Sequence, residues 1–339
     1  MPESLWKQFA EIPLQVDDYR LERLEADVTR GFTRVTTLVR LSGGGEEGLG
    51  EDVTWYTEAH DQEQAAGATR PLAGAWTLES FSEVLGNEEP HKRWAYESAA
   101  LDLALRQGGR SLAEAVGREP RPVQFVVSPG LGDPPSAEPV RRRLELYPDL
   151  RFKLDPGPGW DDRLVRELAE TGRIEIVDFK AFYAEPGSEP PLDLELYRRV
   201  AEGFPDAWLE DPALRDGTDE ILEPYRARIT WDAPIHSVAD VEALAFRPRT
   251  LNSKPSRFGR LEALLDFYDY CAEHGISLYG GGMFELGAGR AQIQYLASLF
   301  HPDAPNDVAP GGYNAPEPSP GLPPSPLPAP GQAPGFGLY

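Results

Sequence analysis

Lysine is scarce in this chain. Of 33 basic residues among 339, five are Lys (Lys7, Lys92, Lys153, Lys180 and Lys254) and the remaining 28 are Arg. An Arg guanidinium stays protonated, whereas a Lys ammonium is compact and can give up its proton beside a divalent cation. Lys153, Lys180 and Lys254 all stand at the ends of short apolar runs, in KLD, IVDFK and LNSKP. Three such runs also end in carboxylates: Asp178 in IVDF, Glu210 in WLEDP and Asp232 in TWDAP. A single acid at a strand end ordinarily caps the next helix or meets solvent. Three of them on consecutive strands can converge. Three hard oxygen ligands with no Cys or His nearby suit Mg²⁺, with Mn²⁺ as an alternative, and leave positions for water or substrate. Lys254 beside such an ion is a candidate general base. Lys180 reads at least as well as an ordinary ion-pair partner of the acids. Gly282, Met283 and Glu285 in the Gly-rich stretch 280–285, and Asn252 two residues before Lys254, are candidates to line the substrate site. Glu285 reads equally as a cap for the helix that follows.

Elements must bring these residues together. From about Arg121 a short apolar strand is followed by a helix, repeatedly. The strands fall at Val123–Val127, Arg151–Leu154, Ile174–Val177, Ala207–Leu209, Arg228–Trp231, Thr250–Asn252 and Ile276–Tyr279. Helical stretches include Glu138–Leu146, Asp161–Glu170, Asp193–Gly203 and Ala288–Phe300. A weak eighth strand lies near His301–Val308. This pattern predicts a (β/α)8 barrel of the α/β class, whose active site forms at the C-terminal ends of the strands. An open doubly wound sheet would want a GxGxxG loop after its first strand, and SPGLGDPP does not match it. The first 120 or so residues read as α+β. Phe32–Leu41 is a strand, Gly43–Gly50 a turn or loop, Glu51–Tyr56 a returning strand and Trp94–Arg106 a helix that stops at Gly108 and Gly109. The tail from Ala309 is Pro-rich, and its final Phe336, Leu338 and Tyr339 suit an ordered extended strap.

The formal charge of −23 argues against binding a phosphate backbone. No apolar run approaches a membrane span, and the N-terminus lacks a signal-peptide layout. Cys271 alone cannot form an internal disulfide, so a cytoplasmic location is expected, and its helix suits it to buried packing. The five His residues show no zinc-ligand spacing.

The ordered set Lys153, Asp178, Glu210, Asp232 and Lys254 resembles the enolase superfamily, in its muconate-lactonizing subgroup. GGMFELGAGRAQIQYLASL at 281–299, KLDPGPGW at 153–160 and CAEHGI at 271–276 are similar to the o-succinylbenzoate synthases and N-acylamino acid racemases. GLGED at 48–52 and ALDLAL at 100–105 resemble segments of that family's cap. The resemblance implies a modified TIM-like barrel at 121–311 under an N-terminal α+β capping domain at 1–120, with residues 312–339 packing back on the cap. Loops near Arg30–Thr33 and Thr54–Glu58 would close the site. It implies Mg²⁺ on Asp178, Glu210 and Asp232, and removal of the proton α to the carboxylate of a small substrate. Lys254 would be the base and Lys153 an electrostatic support. It further implies a lyase of the o-succinylbenzoate synthase type, or a racemase, epimerase or cycloisomerase of the same superfamily, assembled as a homo-oligomer; a relative that binds its ligand without catalysis is the remaining alternative. The subgroup normally carries Lys-x-Lys at the end of strand two. Here Asp155 fills the second position, as acid–base partner or contact to a cationic substrate, and Lys180 stands where Asn is frequent. The connection from Asp178 to Glu210, carrying AEPGSEPP, is longer than usual.

Overall fold

The computed structural model describes residues 4–29, 32–183 and 192–337. Arg30, Gly31, the AEPGSEPP segment at 184–191, Leu338 and Tyr339 lie outside the described residues.

The β-branched run at 32–41 forms the middle strand of a three-stranded antiparallel sheet, Phe32–Gly43, between Asp18–Thr29 and Glu46–Asp52. The run GGGEEGLG was expected to be mostly loop. Only Gly44 and Gly45 form the turn, at φ 60° and 85°. The returning strand begins at Glu46, five residues earlier than expected. Its glycines are there for contact with the helix Pro90–Gln107. A Cβ on Gly48 would lie 2.2 Å from the Ala99 carbonyl oxygen, and one on Gly50 1.9 Å from that of Ala95. The Ala-rich face of the helix completes the fit, burying Ala95, Ala99, Ala100, Leu103 and Ala104. Pro90 opens that helix, and the Glu89 carboxylate accepts the Lys92 N–H at its start.

Among the described residues, seven parallel strands follow. We number the barrel strands one (Val126–Val127), two (Arg151–Leu154), three (Ile174–Asp178), four (Trp208–Glu210), five (Ile229–Thr230), six (Thr250–Ser253) and seven (Ser277–Gly280). One to five pair in order, and six pairs with seven. The Asn252 N–H donates to the Trp231 carbonyl at 3.0 Å and joins five to six. No strand forms over His301–Val308, contrary to the expected eighth. A two-residue seam takes its place: Asn306 bridges Phe125, and Asp307 bridges Gly281, both parallel. Asn306 supplies with its side chain what a strand would supply with backbone. Its Oδ1 accepts the Gly280 N–H at 2.6 Å, and its Nδ2 donates to the Gln124 carbonyl at 2.9 Å.

The Pro-rich tail crosses the first βα unit before reaching the cap. The buried Arg143 guanidinium donates to the carbonyls of Tyr313 and Ala315. Leu327 bridges Val123. Phe336, 1% exposed, packs on Tyr295, and its N–H donates to Asp102 of the helix 90–107 at 2.9 Å.

Candidate active site

Alternation along a strand puts Lys153 and Asp155 on one face of strand two and its extension. Asp178 and Glu210 are paired in register at the ends of strands three and four. Asp232 stands two residues beyond Thr230, which is in register with Glu210.

The Lys153 ammonium lies 2.8 Å from Glu210 Oε2, 3.1 Å from Asp178 Oδ2 and 3.7 Å from Asp307 Oδ2. Burial works against this charge, but Asp178 and Glu210 outweigh it and hold the ammonium well above its ordinary pKa. Lys153 is a fixed cation. Lys254 donates to Asp232 Oδ2 at 2.6 Å. Burial pulls its pKa below the ordinary value, Asp232 opposes that shift, and Arg257 and Lys153 add to it. A lysine so placed is the better proton acceptor. Burial opposes the charge on Asp232, yet Lys254 and Arg257 hold its carboxyl well below the usual range.

Lys180 reaches back to Asp155 Oδ2 at 3.2 Å and Asp178 Oδ2 at 3.4 Å. Asn252 Nδ2 donates to Glu210 Oε1 at 3.3 Å. The Gly-rich stretch makes room for these groups. A Cβ on Gly281 would lie 2.7 Å from Asn252 Oδ1 and 2.9 Å from Lys254 Cε. A Cβ on Gly282 would lie 2.7 Å from Glu285 Oε2. Glu285 does not cap the next helix. It accepts the Met283 N–H and pairs with Arg290 at 3.0 Å.

The cap of the helix Ala288–Phe300 is Glu51, which sequence reasoning had only as part of a motif. Its carboxylate accepts the N–H groups of Leu286, Gly287 and Gly289 at 2.6–2.9 Å. Beside it, Phe32 of the cap stacks on Trp55 at 5.1 Å between ring centroids and meets Phe284 edge-on at 5.9 Å. Thus the cap touches the exit of strand seven.

Three further residues had gone unassigned. Arg257, three positions after Lys254, donates to Asp232 Oδ1 at 3.2 Å and to the Tyr183 hydroxyl at 3.1 Å. Asp307 is the acid of the weak eighth unit. Asp211 sits at φ 48° and accepts the N–H groups of Asp232 and Ala233 at 2.8 and 2.9 Å, one on each oxygen. Burial, with Asp232 and Asp178 nearby, pushes its pKa up to about 7.

Among the described residues, Glu210, Asp211 and Asp232 bring ligand oxygens within 4.8 Å of one another and could hold a metal ion. Asp178 stands against the same ammonium as Glu210. Asp178 Oδ2 and Glu210 Oε2 are buried with lysine ammoniums as their partners, and Asn252 Oδ1 is buried without a hydrogen bond. Buried carboxylate oxygens that face cations suit a hard dication, so the donor set fits Mg²⁺.

A barrel with acids and lysines gathered at its strand ends, under an α+β cap, defines a class of enzyme. The comparisons narrow it. Residues 7–115 and 119–315 match the N-terminal and C-terminal domains of a family described as a domain of unknown function, DUF8230. The chain is 31% identical over 308 residues to an N-succinylamino acid racemase from Amycolatopsis sp, covering 83% of this chain and 79% of that protein. It is 30% identical over 222 residues to an o-succinylbenzoate synthase from Bacillus subtilis, covering 63% of this chain and 57% of that protein. The fold is shared with a member of the enolase superfamily from Listeria innocua (TM-score 0.70, 23% identity, 96% of this chain and 94% of that one). It is also shared with a dipeptide epimerase from Methylococcus capsulatus complexed with a Mg ion (TM-score 0.66, 22% identity, 86% and 89%). The chain belongs to the family of the N-succinylamino acid racemases, and its fold is that of the enolase superfamily. No described helix is long and apolar enough to cross a membrane.

Proposed function

We propose that this enzyme removes the proton α to the carboxylate of a small substrate and carries the enediolate on to dehydration, as in an o-succinylbenzoate synthase. The observation behind this reading is the grouping of Asp178, Glu210 and Asp232 with Lys153 on one side and Lys254 on the other. Asp178, Glu210 and Asp232 would hold Mg²⁺, which supplies, when bound, a fixed double positive charge against the substrate carboxylate. Lys254 Nζ takes the α-proton. The electron pair it leaves behind spreads over the carboxylate. Lys153 faces that charge as a second fixed cation and stabilises it more than the ground state. Gly282, Met283, Glu285 and Asn252 form the wall beside Lys254.

Replacing Lys254 by Ala should slow solvent deuterium exchange at the substrate α-carbon about 1,000-fold or more, the upper range for a lost general base. Exchange at the wild-type rate would reject the assignment. Racemisation is the second reading, favoured by the Amycolatopsis relative's name. It needs a second base facing Lys254, and strand two offers Asp155. With a single enantiomer of an N-acylamino acid as probe, substrate recovered with its configuration kept supports the one-base reading, and racemised substrate excludes it.

A further inference from the structure

Lys153 and Lys254 are buried and spent on carboxylates: they are 4% and 6% exposed. Of the three lysines at the strand ends, Lys180 alone keeps an open side, with 43% of its side chain exposed. Its position is built. Asp178 Oδ1 accepts the Lys180 N–H at 3.0 Å, so the chain turns back over the acid it has just passed. That turn puts Lys180 at φ 51°, a left-handed conformation that strains a non-glycine residue and that collects at functional sites. The side chain then folds inward, with Asp178 Oδ2 at 3.4 Å and Asp155 Oδ2 at 3.2 Å. Two acids on two strands thus hold one ammonium beside the carboxylate group of the site. Lys254 stands on the strand-six side of that group, against Asp232, and Lys180 on the strand-three side, against Asp178. An ordinary surface ion pair has no need of a strained backbone or of a second, buried acid.

We propose that Lys180 is a catalytic residue, whose ammonium contacts the substrate anion from the side opposite Lys254, and that Asp155 is its positioning residue. This rests on the proton abstraction proposed above. As Lys254 takes the α-proton and the electron pair moves onto the substrate carboxylate, Lys180 keeps its own protons. One N–H turns from solvent to the growing charge, while the ammonium keeps its ion pairs with Asp155 and Asp178. Such an interaction strengthens as charge develops, so it acts on kcat more than on KM.

The test follows α-proton exchange in deuterium oxide, with N-succinylphenylalanine and a set of other N-acylamino acids as probes. K180M should lower kcat about 100-fold and change KM less than threefold, in line with the loss of one charge-stabilising donor. K180R should recover part of that loss. Mg²⁺ alone, titrated calorimetrically into K180M, should bind at least as tightly as to wild type, because a repelling charge beside Asp178 is gone. D155N should lower kcat about tenfold, and K180M/D155N should fall no further than K180M, since Asp155 acts through Lys180. K180M with wild-type kcat, or without Mg²⁺ binding, overturns the assignment of Lys180. Additive losses in the double variant overturn the role of Asp155. A wild-type enzyme that exchanges none of the probes overturns the proposed function, and this inference with it. Exchange at the wild-type rate in K180M overturns this inference alone.

Discussion

At the residue scale, two acids at the strand ends divide the labour of the proposed metal site. Asp211 uses both carboxylate oxygens to accept backbone N–H groups from Asp232 and Ala233. Asp178 turns Oδ2 to the Lys153 and Lys180 ammoniums. The first arrangement fixes the exit of strand five, and the second faces cations, as a proposed Mg²⁺ ligand should. D178A should therefore abolish the rise in thermal midpoint that Mg²⁺ gives the wild-type protein. D211A should keep a reduced Mg²⁺ response while lowering the metal-free midpoint, because two buried N–H groups lose their acceptor at about 1–3 kcal/mol each. Both effects are read from thermal unfolding with and without Mg²⁺; the reverse pattern would exchange the two roles. Lys254 depends on a third residue for its path. A methyl at Gly281 would press on Asn252 Oδ1 and Lys254 Cε at 2.7 and 2.9 Å. G281A should cost activity out of proportion to stability, and kcat with a denaturation midpoint measures both.

At the scale of elements, the barrel is closed by a side chain where an eighth strand would stand. His301 Nδ1 meets Asn306 Oδ1 at 2.6 Å, and that oxygen also accepts from Gly280. The proton on this contact must therefore come from the imidazole. Its Nε2 is buried with no partner. A second proton there would have no acceptor, and burial pushes the His301 pKa down to about 4. The unfolded chain takes up this proton below about pH 6.5, and the folded chain only near 4. Stability from this group is thus complete above about 6.5 and lost as pH falls to 4, up to about 3 kcal/mol. Urea unfolding at pH 7 and pH 4.5 should show the loss, and H301Q should flatten it. The same seam shows what a sequence conceals. The βα pattern was plain because each strand is a short apolar run followed by an amphipathic helix, and Asp178, Glu210, Asp232 and Lys254 stand where those runs end. The seam at 306–307 had no such run, since it pairs through an Asn side chain. Gly48 and Gly50 carried a loop's composition, and only the close approach of the helix 90–107 explains them in a strand. Asp211 and Arg257 were visible as residue types, but their partners lie on other strands.

For the whole molecule, the question is how the cap is held over the strands that carry the chemistry. Two buried carboxylates of the cap reach across to helices of the barrel. Glu97, on the helix 90–107, accepts the Leu261 N–H at 2.6 Å, where the helix Leu261–His274 begins. Glu51 accepts three N–H groups at the start of Ala288–Phe300 and a hydroxyl hydrogen bond from Thr36 at 2.7 Å. Those two helices follow strands six and seven, which bring Lys254 and the 280–285 stretch to the site. Each helix start has no capping side chain of its own, so its free N–H groups and the positive end of its dipole are answered by the cap. Placement of the cap and placement of the Lys254-bearing side of the barrel are then one event. E51A leaves three N–H groups without an acceptor and should cost about 2–4 kcal/mol, given about 1–3 kcal/mol for each unmade buried bond and partial relief by water. Because Glu51 touches neither Lys254 nor the acids, a simple loss of stability would leave kcat unchanged once the variant is folded. Coupling through the helix start predicts instead that folded E51A also loses kcat, with KM rising as the Phe32, Trp55 and Phe284 contact loosens. E51Q keeps an acceptor oxygen and should restore much of both. Steady-state kinetics on the folded variants, beside urea unfolding, separate the outcomes: kcat and KM at wild-type values in E51A would show that the cap is held without being coupled to the strand ends.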